Sequence, residues 1–186
     1  MFVVTGPSGA GKGTLERALL ERRGDFELAV SATTRERRPG EVAGVHYHYL
    51  SPGEFVRRIG DGGFLEWVEY VGNRYGTLRS EIERIRGGGK VPLLDLEIDG
   101  ALRIRDEVPE AVTIFVDAPL EELDRRLRER ATESSGQIDE RIAIARDQKT
   151  RAAEFDHVIV NDVLERAVDE LLDIVQRELA ATMSRT

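Results

Sequence analysis

The stretch GPSGAGKGT, residues 6–14, constrains the fold more than any other part of the chain. It has the Gly-x-x-x-x-Gly-Lys spacing of a phosphate-binding loop, running from Gly6 to Lys12. The apolar run FVVT at 2–5 comes directly before it, and apolar residues at helical spacing follow it from Leu15 onward. The N-terminus therefore predicts a buried strand, a phosphate-binding loop and a helix, in that order.

The loop residues predict the binding of a nucleoside triphosphate. Glycines let the backbone N–H groups turn inward, and the positive end of the following helix faces the same point. Lys12 is placed to reach the β- and γ-phosphates. The residues predicted to bind this nucleotide are Gly6, Pro7, Ser8, Gly9, Ala10, Gly11, Lys12, Gly13 and Thr14.

The residue that follows Lys12 affects how the loop can bind Mg²⁺. It is usually a serine or threonine whose hydroxyl helps to hold Mg²⁺, but here it is Gly13. Thr14 lies about 100° further round the helix and is not a simple substitute. We predict that Thr14 contacts Mg²⁺ through a water molecule.

Apolar runs along the rest of the chain predict the fold class. Four of them predict further buried strands, at 28–30, 91–96, 112–116 and 158–160. Helical patterns lie between or after them, at 99–107, 120–130, 138–153 and 163–180. Alternating strands and helices predict an α/β fold, a parallel sheet core with helices on both faces.

Two segments break this alternation within a single domain, 1–186. Residues 33–78 are rich in Arg, Gly and Tyr and predict a small β-rich insert. Residues 122–146 are crowded with arginines and predict a helical lid, with a hinge at the polar break 132–136. The core is then made of the remaining ranges, 1–32, 79–121 and 147–186.

Composition excludes several classes of function. A net charge of −8 argues against a large non-specific nucleic-acid surface, which requires a basic field. The chain has no cysteine, so disulfides and thiol catalysis are excluded. No signal peptide or membrane span is visible in the sequence. We expect a cytoplasmic protein without nucleic-acid or membrane partners, a monomer or weak homo-oligomer.

Residues of the insert predict a second anion site. Arg35 and Arg38 are three residues apart and can close on one phosphate, to which Tyr47 and Tyr75 can donate hydrogen bonds. Glu66 lies in an otherwise apolar strand, and the N1–H and N2–H₂ groups of guanine would supply the donors that a buried carboxylate needs. Alternatively, Glu66 pairs with internal arginines and the other arginines form a solvated face. Their occurrence beside a phosphate loop favours a nucleoside monophosphate site.

The same motifs resemble the guanylate kinase family over nearly the whole chain. TTRxxRPGE, GxxY, FLEW and GxxYGT occur in family order between residues 33 and 77, followed by the acidic stretch at 95–100 and EFDHVIVND at 154–162. The resemblance implies transfer of the γ-phosphoryl group of ATP to GMP, with Mg²⁺ as cofactor.

The resemblance also implies site residues. Those implied to hold GMP are Ser31, Arg35, Arg38, Tyr47, Glu66, Tyr75, Thr77, Asp95 and Glu97. Those implied to stabilise the transferred charge are Lys12 and the lid arginines Arg126, Arg130 and Arg141. Asn161 is implied to lie near the adenine of ATP.

The sequence departs from the family pattern near the metal. Gly13 gives the GKGT loop form of adenylate kinases, Glu97 replaces a usual aspartate, and Asp99 replaces a usual glutamine. One alternative is a kinase of related fold that acts on another small phosphorylated acceptor, although Glu66 would then lack partners. Another is a non-catalytic guanylate-kinase-like binding module, which the intact lysine and glycines disfavour.

Overall fold

The predicted strand, loop and helix open the chain in the computed structural model, which describes residues 1–129 and 135–184. The strands are β1 Phe2–Thr5, β2 Phe26–Leu28, β3 Ala32–Thr33, β4 His48–Tyr49, β5 Phe64–Tyr70, β6 Asn73–Leu78, β7 Val91–Asp95, β8 Val112–Asp117 and β9 His157–Val160. The helices are α1 Lys12–Arg22, α2 Pro52–Gly60, α3 Arg79–Gly87, α4 Ile98–Glu107, α5 Leu120–Glu129, α6 Ser135–Lys149 and α7 Leu164–Met183. A short 3₁₀ helix covers Ala152–Glu154.

Five parallel strands form the central sheet, in the order β2-β7-β1-β8-β9. The central strand β1 is buried throughout, and successive side chains of a strand point to opposite faces. Phe2 and Val4 therefore pack in one apolar cluster with α1 and α7, whereas Val3 packs in another with α3 and α4. This confirms the predicted α/β class, a parallel sheet with helices on both faces.

A second, four-stranded sheet lies between β2 and α3 in the chain, in the order β4-β3-β6-β5. It also carries helix α2, which the interpretation as a β-rich insert missed. Pro52 begins this helix, and the Ser51 hydroxyl accepts a hydrogen bond from the backbone N–H of Glu54 at 3.2 Å. Its buried residue Phe55 stacks on Phe64 of β5, with ring centroids 4.3 Å apart.

Other element boundaries also differ from the predictions. Strand β2 occupies 26–28 rather than 28–30, because Phe26 is buried against Phe2 and pairs with Val91 of β7. Helix α3 was not predicted. The helix predicted at 138–153 begins earlier, at Ser135, and gives way to the 3₁₀ helix at its end. Arg130 and most of the predicted hinge lie outside the described residues.

The lengths and polarities of the helices bear on membrane insertion. Among residues 1–129 and 135–184, no helix combines the length and apolar character needed to cross a membrane.

Candidate functional site

The phosphate loop is held closely against the central sheet. Gly6 has a φ of 137°, and a Cβ there would lie 2.1 Å from the carbonyl oxygen of Val116 in β8, so no side chain fits. Lys12 Nζ donates a hydrogen bond to the Gly6 carbonyl at 2.8 Å. The lysine side chain thus curls back over the loop.

Asn161 and Arg126 bind the carbonyl side of the same loop. Asn161 Nδ2 donates to the Ala10 carbonyl at 2.7 Å, and its backbone N–H donates to Asp117 O at 2.8 Å. Arg126 Nη1 donates to the carbonyls of Gly9 at 3.3 Å and Ala10 at 3.2 Å, and its Nη2 donates to Asn161 O at 3.0 Å. The structure therefore brings these two predicted residues together on the loop.

A cavity of about 370 Å³, the loop-side cavity, lies beside them. Its lining includes Gly9, Gly11, Thr14, Arg126 and Asn161. The predicted metal-site residue Thr14 is therefore near the Asn161 side of the loop.

Helix α6 reaches the loop from the lid segment. Arg141 Nη1 donates to Ser8 Oγ at 3.3 Å. At the other end of α6, Lys149 Nζ contacts Asp117 Oδ1 at 2.5 Å and Ala118 O at 2.6 Å, which fixes this end to the last residue of β8. The helix thus connects the loop to the edge of the sheet where Asn161 is held.

A second cavity, of about 280 Å³, lies between the two sheets, and we call it the insert-side cavity. Eight of the nine residues predicted to hold GMP line it: Ser31, Arg35, Arg38, Tyr47, Glu66, Tyr75, Asp95 and Glu97. The ninth, Thr77, contacts Glu66. Lys12 lines it too, so the cavity opens onto the phosphate loop.

Arg35 is oriented by a residue that the sequence analysis did not select, Glu41. Two hydrogen bonds join them, Nη2 to Oε1 at 2.7 Å and Nη1 to Oε2 at 3.1 Å. Glu41 also accepts from the backbone N–H of Arg38 at 2.8 Å and from the Tyr49 hydroxyl at 2.8 Å. The hydrogen bonds from Arg35 lower the pKa of Glu41 to about 2. Glu41 belongs to the RPGE motif, so a signal for it was present.

Aromatic rings support the same arginine. The Arg35 guanidinium lies over the ring of Tyr47, with its central carbon 5.3 Å from the centroid, and the Tyr47 and Tyr75 rings are 6.1 Å apart, edge to face. This arrangement brings a guanidinium and two phenolic side chains together, a combination that suits a phosphate dianion.

Glu66 is buried at another part of the insert-side cavity. It lies opposite Thr77 in the β5–β6 pair, and its Oε1 accepts a hydrogen bond from the Thr77 hydroxyl at 2.9 Å. Its side chain is 5% exposed, and burial raises its pKa to about 7, partly offset by Thr77. No arginine of the described chain hydrogen-bonds to it, so no hydrogen bond supports the alternative in which Glu66 pairs with internal arginines.

Three carboxyl groups lie near Lys12. Asp95 and Glu97 keep exposed surface toward the cleft, yet the surrounding protein raises the pKa of each, while the charge of Lys12 lowers it. Glu16 of α1 is buried, and burial together with the charge of Asp95 raises its pKa to about 8. Glu16 was not predicted as a site residue, because its burial depends on contacts distant in sequence.

The fold and the two cavities define the class of P-loop α/β proteins with a second, arginine-lined cavity beside the loop. A sequence model of the family described as guanylate kinase matches residues 1–178. The chain belongs to the guanylate kinase family.

Individual relatives agree with this assignment. The chain is 48% identical to the guanylate kinase of Rubrobacter xylanophilus over 181 residues, covering 97% of this chain and 95% of that protein. It is 47% identical to that of Prochlorococcus marinus over 172 residues, covering 92% and 91%. Its structure is similar to the crystal structure of guanylate kinase from Anaplasma phagocytophilum, with a TM-score of 0.75 and 30% identity, covering 96% of this chain and 85% of that one.

Proposed function

We propose that this chain transfers the γ-phosphoryl group of ATP to GMP, giving ADP and GDP, with Mg²⁺ as the cofactor. One observation carries the proposal most directly. Lys12 of the phosphate loop lines the same cavity as Arg35 and Glu66, so a triphosphate on the loop and a monophosphate in the cavity would be neighbours. Membership of the guanylate kinase family supports the same acceptor and donor.

The acceptor GMP is held from two ends in this proposal. Its phosphate is bound by Arg35, Arg38, Tyr47 and Tyr75, and the pairing of Arg35 with Glu41 fixes the guanidinium before GMP arrives. Its guanine is bound by Ser31, Glu66 and Thr77, with help from Asp95 or Glu97. The N1–H and N2–H₂ groups of guanine donate to Glu66 and favour its ionised form.

The donor ATP lies on the loop, residues 6–14, with Asn161 near the adenine. An oxygen of the GMP phosphate is already ionised and attacks the γ-phosphorus, so no general base is needed. The reaction requires that the two anions be aligned and their charge neutralised. Lys12, Arg126, Arg130 and Arg141 supply that positive charge.

Closure of the insert and the lid would complete the site. Arg126 donates hydrogen bonds to the loop carbonyls of Gly9 and Ala10. We propose that the insert 33–78 and the lid 122–146 close over the core when both nucleotides bind, which excludes water as a competing acceptor.

Mg²⁺ fits the donors on the loop side of the insert-side cavity. This ion prefers oxygen ligands and is usually bound through one or two carboxylates together with substrate phosphates. Asp95 is a carboxylate that opens to the cleft and interacts with Lys12, which meets that requirement. Thr14 contacts the ion through water in this proposal. When bound, Mg²⁺ neutralises charge on the β- and γ-phosphates.

A test across acceptors checks the proposed function. ADP release from ATP is measured with GMP, AMP, CMP, UMP and ribose bisphosphate as acceptors, with Lys12→Met as an inactive control. GMP is expected to give the highest kcat/KM. Absence of turnover with GMP would refute the proposal, and GMP binding without turnover would favour the non-catalytic module. Cytoplasmic location and a monomeric or weakly oligomeric state remain predictions from the sequence.

A further inference from the structure

Glu16 has no role in the proposed function, although its environment requires an explanation. It lies one turn into α1 after Lys12, and only 4% of its surface is exposed. Its Oε1 is buried and accepts no hydrogen bond from any residue in the described part of the chain. A buried carboxylate oxygen without a partner is costly, and native proteins retain few of them without a reason.

The other oxygen of Glu16 marks where the carboxylate lies. A Cβ built on Gly13 would have Glu16 Oε2 as its neighbour at 4.0 Å, and no other contact within that distance is present among the described residues. Residues three apart on a helix share a face, so Glu16 stands beside the position from which a serine hydroxyl at 13 would project. Thr14, in contrast, lines the loop-side cavity with Asn161.

Two charged groups lie near Glu16, the carboxylate of Asp95 and the ammonium of Lys12. Asp95 opposes the ionisation of Glu16, and Lys12 favours it, so both groups are close enough to act on it electrostatically. Two carboxylates that share one environment repel each other, and Lys12 is the one cation that acts on both among the described residues. A divalent ion bound to the phosphates on the loop would relieve both the burial and the repulsion.

We propose that the Glu16 carboxylate helps to position the Mg²⁺ of bound ATP, together with Asp95, in place of the hydroxyl that is absent at Gly13. This inference rests on the proposed function, because it takes the ion to be that of MgATP. The proposed role is that of a positioning residue, and the chain holds the ion without the usual serine or threonine.

Binding measurements without turnover test this role. The affinity for a non-hydrolysable ATP analogue is measured by calorimetry, with Mg²⁺ and with EDTA, for the parent and for Glu16→Gln. The parent is expected to bind more tightly with Mg²⁺, and Glu16→Gln is expected to lose on the order of 10- to 100-fold of that metal-dependent gain. Affinity in EDTA should stay unchanged. Glu21→Gln, an exposed residue of the same helix, is the matched control.

A rescue variant separates metal positioning from a merely structural role. Gly13→Ser/Glu16→Gln places a hydroxyl beside the lost carboxylate and is expected to regain most of the metal-dependent affinity. Titration with Mn²⁺, followed by electron paramagnetic resonance, gives a second readout of metal binding on the same proteins. If Glu16→Gln does not fold, Glu16→Asp takes its place in this titration.

The outcomes distinguish this inference from the proposed function. Equal affinities for Glu16→Gln and parent in Mg²⁺, or equal losses with Mg²⁺ and with EDTA, would overturn the role of Glu16 while leaving phosphoryl transfer intact. A parent that gains no affinity from Mg²⁺ would instead contradict the cofactor of the proposed function, and this inference with it.

Discussion

Replacing Glu66 by glutamine should make the free energy of unfolding, measured without nucleotide, depend less on pH. The same substitution should weaken the binding of GMP. The pKa of Glu66 is raised from its ordinary value of 4.5 to about 7, so the folded chain keeps a proton that the unfolded chain has already released. The stability that this proton contributes is complete below about pH 4.5 and is lost as the pH rises through about 7. At about 1.4 kcal/mol per unit of pKa, the total loss is ~3 kcal/mol.

The assay is urea unfolding of the parent and of Glu66→Gln, without nucleotide, at pH 5 and pH 8. The difference in unfolding free energy between the two proteins should change by ~2.5 kcal/mol over this range, in favour of the variant at the higher pH. A constant penalty for burying the amide cancels in this comparison. Glu69→Gln, exposed on the same strand, removes a carboxylate without the burial and is the control.

The same substitution should weaken GMP binding. An amide cannot accept both guanine donors as an ionised carboxylate does, and each charge-assisted hydrogen bond that is lost corresponds to roughly 1.5–3 kcal/mol. The KM for GMP should therefore rise on the order of 10- to 100-fold, with little change in the KM for ATP. A pH-independent stability difference would refute the burial argument. An unchanged KM for GMP would remove Glu66 from the guanine site.

Two further substitutions test the phosphate loop and the lid. Gly11→Ala would place a Cβ 2.3 Å from Asn161 Nδ2 at a φ of 92°, so it should destabilise the fold by at least ~1–3 kcal/mol in thermal unfolding. Gly13→Ala, which meets nothing nearer than 4.0 Å, should be tolerated, and equal effects would contradict the geometry. Arg126→Ala should lower kcat by ~10²-fold or more, whereas the exposed Arg128→Ala should not, and a change confined to KM would argue against charge stabilisation.

The central fold was predictable because its signals are local. The run FVVT and the glycines after it fix β1, the loop and α1, and the alternation of apolar runs fixes the parallel sheet. Helix α2 was missed although Ser51 and Pro52 mark its start, because it is only nine residues long and lies inside a segment rich in Arg, Gly and Tyr. The position of β2 depends on pairing with β7, a contact over sixty residues away that no local pattern encodes.

Residues of the candidate site could be predicted where they belong to a recognisable sequence motif. Arg35, Glu66 and Tyr75 occur in recognisable order, and the structure brings them to one cavity. Glu41 stands in the same motif, but its hydrogen bonds to Arg35 emerge only when the RPGE turn folds back. Glu16 has no motif, since a glutamate on an amphipathic helix ordinarily faces solvent, and its burial follows from how α1 packs on the sheet.

Two carboxyl groups, Glu16 and Glu66, are buried on the two sides of Lys12 and the insert-side cavity. Glu16 Oε1 has no hydrogen-bond partner among the described residues, and Glu66 accepts a side-chain hydrogen bond from Thr77 alone. Burial without a full set of donors or a cation disfavours the unliganded fold, and a ligand that supplies them recovers that free energy on binding. Under the proposed function, the affinity for guanine and for the metal–phosphate group would therefore come at the cost of stability in the free protein. A cleft lined by neutral residues would make the free protein more stable. Under the proposed function, it would also bind GMP no more tightly than other nucleoside monophosphates, and it would offer Mg²⁺ no carboxylate.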